Sequence, residues 1–249
     1  MGFDLDLWIK DGIKIPVTAP IGHLICVGGS GSGKSTALLY WLFQLKKYRS
    51  NVALTILDFK ASHEFSGISK DYAEFEQCYD KIVDFHKMFL SINEGGDGKV
   101  HLLIIDEIAG LLTHFSMDKE GKQKAEKIRQ IMSSILMLGR SRNCFLWILM
   151  QRYSATIFPA SSGAVDNFHI AVGLGRLTVD GRKGLFAGEH LENEDYLTFG
   201  QGKGIVLIDG QSIQALILPR VSKVKLLKQL QLFNQKGSVP PTVAQNTPL

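Results

Sequence analysis

Gly28-Gly29-Ser30-Gly31-Ser32-Gly33-Lys34-Ser35-Thr36 stands directly behind the apolar run His23-Leu24-Ile25-Cys26-Val27 and ahead of Ala37-Leu38-Leu39-Tyr40-Trp41-Leu42-Phe43. Gly28, Gly33, Lys34 and Ser35 satisfy the phosphate-loop pattern GxxxxGK[ST]. An ordinary Gly/Ser-rich loop can match that pattern, but here a short buried strand leads in and a helix leads out, which is the context the pattern needs. The chemistry follows from the residue types. Glycines let the backbone wrap a phosphate and aim several N–H groups at it, and the start of the helix adds the positive end of a dipole. Lys34 has the reach for β- and γ-phosphates, and the Ser35 hydroxyl suits Mg²⁺. The implied ligand is a nucleoside triphosphate, ATP, held by residues 28 to 36.

Outward from this loop the chain alternates apolar strands with helices. Val52 to Leu57, Val100 to Ile105, Cys144 to Met150 and a segment centred on Ile170 to Val172 read as buried strands. Helical spacing of apolar residues marks 35–48, the stretch from Phe75 to Phe89, Ala125 to Leu138, and Val221 to Phe233, the last with Lys223, Lys225 and Lys228 on its wet side. Alternation of this kind predicts an α/β fold with a mainly parallel sheet and helices on both faces. Hairpin additions are expected at both ends. One is read from Leu5, Leu7, Ile9, then Asp11-Gly12, then Ile13, Ile15 and Val17; the other joins Ile205–Ile208 to Ile213–Leu218 through Asp209-Gly210. A single domain over residues 1–236 is expected, with a disordered, proline-containing tail over 237–249.

Two further strand ends carry chemistry. His101-Leu102-Leu103-Ile104-Ile105 runs into Asp106-Glu107. The first carboxylate suits a Mg²⁺-bound water beside Ser35, and the second suits the general-base task on the attacking water. Trp147-Ile148-Leu149-Met150 delivers Gln151 to the carboxyl edge of the sheet, where ligands bind in open α/β folds. Gln151 is suited to the γ-phosphate or the attacking water.

Composition narrows the class. The chain has 249 residues, 45% hydrophobic and 21% charged, and a net charge of +4, an ordinary globular balance tilted toward a polyanionic partner. Cys26, Cys78 and Cys144 form no CxxC or His/Cys cluster, which argues against zinc and for reduced thiols in a cytoplasmic setting. No signal peptide is visible, and no apolar run approaches the roughly 20 residues a membrane span needs. Lys119, Lys122, Lys124, Lys127 and Arg129, followed by Arg140 and Arg142, are a basic stretch that either tracks phosphates or is simply a solvated helix face.

The motifs together resemble the motor domain of the FtsK/SpoIIIE DNA translocases, within the HerA–FtsK group of ring ATPases. The resemblance rests on His23–Gly29, on Leu57-Asp58-Phe59-Lys60, on Ile104-Ile105-Asp106-Glu107-Ile108-Ala109-Gly110-Leu111, and on Leu138-Gly139-Arg140 with Leu149-Met150-Gln151-Arg152. Asp180-Gly181-Arg182 and Phe199-Gly200-Gln201-Gly202-Lys203-Gly204 complete the order, over about residues 20–218. Tyr153 stands where the family has proline after Gln-Arg, and His169 where it often has arginine.

The resemblance implies a RecA-like P-loop ATPase core, a hexameric ring, DNA as partner, and an arginine finger supplied by a neighbour. Arg140 and Arg182 match family arginines, and Arg176 is a further candidate. The membrane-spanning N-terminus and winged-helix module of the chromosome-segregating members are not seen. The expectation is therefore the motor or coupling protein of a conjugative or other mobile element, with a relaxase or a secretion channel at the inner face of the membrane as partner. A viral genome-packaging ATPase and an adaptor that binds nucleotide without translocating are the alternatives.

Overall fold

The computed structural model describes residues 1–159, 163–187, 189 and 199–235. The tail expected over 237–249 lies outside the described residues. Ten strands form one sheet in the order β2-β1-β10-β9-β8-β3-β7-β6-β4-β5. Its centre is β3 (Leu24–Val27), flanked by β7 (Cys144–Met150) and β8 (Ile170–Leu174). β6 (Val100–Asp106), β4 (Val52–Asp58) and β5 (Asp71–Glu74) continue it in parallel. One strand, β7, therefore separates the strand that feeds the phosphate loop from the strand that ends in Asp106. That is the RecA-like order.

Burial on both faces explains the near-continuous apolar runs of these strands. In β3, Ile25 and Val27 pack toward one core and Leu24 and Cys26 toward the other. The first core takes α3 (Gln77–Ser91), α4 (Ile108–Phe115) and α5 (Lys119–Leu138), through Phe85, Phe89, Leu111, Ile128 and Ile135. The second takes α2 (Lys34–Tyr48) and α7 (Lys223–Gln235), through Leu38, Leu42, Leu226 and Leu230. All three cysteines are buried free thiols, and burial pushes each up to about 12. A further short helix, α6 (Val179–Leu185), follows β8.

The expected carboxy-terminal hairpin is present: β9 (Lys203–Ile208) and β10 (Gln214–Ile217) pair antiparallel, and β9 joins the parallel sheet at β8. The amino-terminal one differs. Only β1 (Gly2–Asp4) and β2 (Pro16–Val17) pair, and Leu5–Asp11 between them is a helix, α1. Asp4 caps it, its side chain accepting from the Leu7 N–H at 2.9 Å. Gly12, at φ 69°, ends it by donating its N–H to the carbonyls of Leu7 and Trp8. Asp-Gly thus marks a left-handed helix cap rather than a hairpin turn, since both uses need the same positive φ.

Candidate nucleotide site

The phosphate loop is tied down by backbone hydrogen bonds on two sides. The Gly28 N–H donates to Met150 O at 3.1 Å, which ties the loop to β7. The Gly202 N–H donates to Ser32 O at 2.9 Å, and the Gly175 N–H to Lys203 O at 2.8 Å, so the loops at the ends of β8 and β9 close over it. Gly28 has no room for a side chain, because a Cβ there would lie 2.5 Å from Leu174 O and 2.6 Å from Ser32 Oγ. Gly31 and Gly33 have φ 76° and 102°, open to glycine at little cost. Lys34 opens α2, and its ammonium donates to Gly28 O at 2.5 Å and Gly29 O at 3.2 Å. Burial lowers its pKa from the usual lysine range.

A cavity of about 290 Å³ opens over this loop. It is lined by Ser30, Gly31, Gly33, Lys34, Ser35 and Thr36, and by Asp106 and Gln151 from the neighbouring strand ends. Those expected residues therefore converge. Asp106 is buried, with its pKa raised to about 6: burial raises it most, and the nearby Lys60 opposes that. Glu107 turns away from the strand at φ 63° and starts α4, its N–H donating to Leu149 O at 2.9 Å. A non-glycine residue in the left-handed region is costly and concentrates at functional sites. Glu107 Oε2 accepts from the Lys60 ammonium at 2.7 Å.

The cavity also holds residues to which sequence reasoning gave no role. Ser62, Glu64, Gln201 and Lys223 line it with Lys60. Lys223 does not lie on a merely wet face: its ammonium is 2.7 Å from Glu64 Oε1. Burial raises the Glu64 pKa, but hydrogen bonds from Lys223 and from Ser35 outweigh it, and the net shift is downward. Helical period shows that α7 has a polar face but not what that face meets. Lys60 stood in a quoted motif; nothing in the local sequence marks Glu64.

The residues fit a nucleotide with its cation. Ser32 Oγ, within the phosphate loop, is buried without a hydrogen-bond partner. Ser35, Asp106 and Glu64 are the hard oxygen donors that suit Mg²⁺. Among the described residues no group of three or more His, Cys, Asp or Glu could hold a metal ion by itself.

Arg140 and Arg182 do not line this cavity. Arg140 begins the 3₁₀ turn Arg140–Arg142 at the start of β7, the opposite end of the sheet from the loop. Arg182 is half-buried on α6, and Arg176 is exposed just past Gly175. In the basic stretch on α5, Lys124 pairs with Glu120 at 3.1 Å and Arg129 with Glu126 at 3.4 Å. No described helix is long and apolar enough to cross a membrane.

No protein-family model and no curated protein sequence matches the chain. Solved structures do. The conjugation coupling protein TcpA of pCW3, in its monomer form with ATPγS, has a TM-score of 0.62 at 23% identity, over 84% of this chain and 64% of that one. The cytoplasmic domain of the type VII secretion ATPase EccC of Thermomonospora curvata has a TM-score of 0.62 at 17% identity, over 100% of this chain and 32% of that one. The genome-packaging NTPase B204 of Sulfolobus turreted icosahedral virus 2, with AMPPCP, has a TM-score of 0.51 at 15% identity, over 81% of this chain and 100% of that one. The chain thus spans less than two thirds of the first two. At these identities the likeness is one of fold: this is the RecA-like P-loop fold of those ATPases.

Proposed function

We propose that the chain binds ATP with Mg²⁺ and hydrolyses it to move DNA, as the motor or coupling protein of a conjugative or other mobile element. The observation that carries the reading is the convergence of Lys34, Ser35, Asp106 and Gln151 on one cavity, with Glu107 one ion pair away. Lys34 and the loop amides bind the β- and γ-phosphates. Ser35 and Asp106 hold the cation, which supplies charge neutralisation of the phosphates. Gln151 orients the attacking water and Glu107 takes its proton, so that water and ATP give ADP and phosphate. The fold shared with a conjugation coupling protein and a genome-packaging NTPase supports DNA as the substrate. A ring, hexameric as the family resemblance implies, brings Arg140 or Arg182 of one copy to the nucleotide of the next. A relaxase or a secretion channel at the cytoplasmic face of the membrane is the proposed partner.

The test is ATP turnover against DNA length, for single and double strands, at low and high salt. A motor gripping the phosphate backbone binds without sequence preference, loses affinity steeply with salt, and turns over faster on long molecules than on short ones. If neither form binds or alters the rate at low salt, an adaptor role replaces the motor. A capsid gene in place of a relaxase gene beside this one favours genome packaging, for which the full coverage of B204 is the supporting observation.

A further inference from the structure

We infer that α7 is a clamp on the nucleotide site. Through Lys223, Gln231 and Asn234 it holds the loop after β4 in the shape that presents Ser62 and Glu64 to the cavity, and Gln231 and Asn234 are thereby positioning residues for a nucleotide they do not touch. The inference rests on the nucleotide-site reading above and adds to it the element that preorganises one wall of that site.

The loop is strained where it meets the cavity. Lys60, Ser62 and Glu64, alternate residues, line that cavity. Ala61 and His63 between them lie in the left-handed region, at φ 50° and 59°. Neither is glycine, and a residue with a Cβ is costly there. Such conformations persist only where the surrounding structure imposes them. Local bonds fix the amino end of the loop: the Ala61 N–H donates to Asp58 O at 3.0 Å, and Ser62 Oγ to Asp58 Oδ2 at 2.8 Å. From Glu64 onward the chain bends back through Gly67, at φ 78°, and there α7 takes over.

The helix meets this second half of the loop three times. Lys223 Nζ is 2.7 Å from Glu64 Oε1, Gln231 Nε2 donates to Ser66 O at 2.9 Å, and Asn234 Nδ2 donates to Gly67 O at 3.2 Å. The helical period puts all three on one face with Leu230, spread over about 16 Å of the axis. Gly67 permits the close approach, since a Cβ there would meet Gln231 Nε2 at 3.0 Å. Beneath the polar contacts, Phe65 and Ile68 are buried in the same core as Leu226 and Leu230, and that core also takes Leu38 and Leu42 of α2. Apolar burial supplies the attachment. A half-exposed ion pair adds little energy of its own; with the two amide bonds it fixes the register of the loop along the helix. The loop bearing Ser62 and Glu64 and the helix that begins at Lys34 and Ser35 are thus seated on one element, and α7 sets their spacing across the cavity.

The experiment compares the whole chain with the double variant Gln231→Met/Asn234→Leu, which removes both N–H donors without adding charge or emptying the core. Calorimetry reads the binding of the non-hydrolysable analogue AMPPNP with Mg²⁺, and amide hydrogen exchange reads the loops. The double variant is expected to bind AMPPNP about tenfold more weakly and to exchange faster over residues 61–67, with the phosphate loop over 28–36 unchanged. Ala61→Gly, which relieves the left-handed strain, is expected to recover most of the lost affinity when added to the double variant. A merely structural role for α7 predicts no such recovery. Affinity within about twofold of the unsubstituted protein, faster exchange in the phosphate loop as well as in 61–67, or no recovery by Ala61→Gly overturns the inference while leaving the nucleotide site standing. If the unsubstituted protein does not bind AMPPNP, the site reading falls and this inference falls with it.

Discussion

Asp58 and Asp106 stand side by side, paired in register at the ends of the parallel strands β4 and β6, and both are buried. Asp58 accepts through one oxygen from Ser62 at 2.8 Å and from Tyr72 at 3.2 Å, while its other oxygen has no partner. Asp106 carries the cost of the arrangement. Burial first, and then the charges of Asp58 and Glu107, raise its pKa from 3.8 to about 6, against the pull of Lys60 and Lys34.

A pH dependence of stability follows. The folded-state pKa lies above the unfolded one, so between about pH 4 and 6 the unfolded chain has released a proton that the folded chain still holds. Stability contributed by protonated Asp106 is present below pH 4, falls as pH rises to about 6, and stays lost above. The difference between 3.8 and about 6 corresponds to about 3 kcal/mol as an upper bound. Asp106→Asn is therefore expected to raise the thermal midpoint of the nucleotide-free protein at pH 7.5 and to change it little at pH 4. Its Mg²⁺-dependent nucleotide binding is expected to weaken at the same time. Equal midpoints at pH 7.5 would remove the burial penalty from Asp106.

Glu107→Gln is expected to bind ATP and to lower turnover by a factor on the order of 10²–10⁴, the usual scale for losing a general base. Lys34→Ala is expected to fail earlier, at nucleotide binding. Binding and phosphate release measured on the same preparations separate the two. Full turnover by Glu107→Gln would exclude that carboxylate as the base.

Gly28→Ala tests the loop. The added methyl would meet a backbone carbonyl, Leu174 O, at 2.5 Å, and the strand carrying that carbonyl is fixed in the sheet centre. A cost of about 1–3 kcal/mol in stability is expected, with loss of nucleotide affinity. An unfolding curve and a binding isotherm identical to those of the unsubstituted protein would show that the loop relaxes freely.

Arg140 lies at the far end of β7 from the phosphate loop, a strand of seven residues at about 3.3 Å each. It cannot serve the nucleotide of its own copy. If it serves a neighbour's, turnover per molecule rises with protein concentration, and Arg140→Ala mixed with Lys34→Ala recovers activity that neither has alone. Arg182→Ala is read in the same way. Turnover independent of concentration in a protein shown to be monomeric would exclude a shared site.

Much of this molecule is readable from residues near one another in the chain. The phosphate loop, the strand ending in Asp106-Glu107 and the strand delivering Gln151 each announce themselves by a local pattern, because a buried parallel strand needs an unbroken apolar run and its functional residue must follow that run directly. The alternation of such runs with helices also dictates the α/β class. Where period misled, two structures shared one local requirement: Asp11-Gly12 supplies a positive φ that caps α1 as well as it would turn a hairpin. The remaining decisions belong to tertiary structure. Only the strand order, with β7 inserted between β3 and β6, sets Gln151 beside both Lys34 and Asp106. Only the docking of Phe59 against Gly110 puts Lys60 on Glu107, 47 residues away. Only the packing of α7 on the face shared with α2 turns Lys223 from a solvated lysine into a partner of Glu64. A sequence pattern records which face of an element is apolar, because burial acts residue by residue. It does not record which polar groups meet, because that depends on how several elements pack at once.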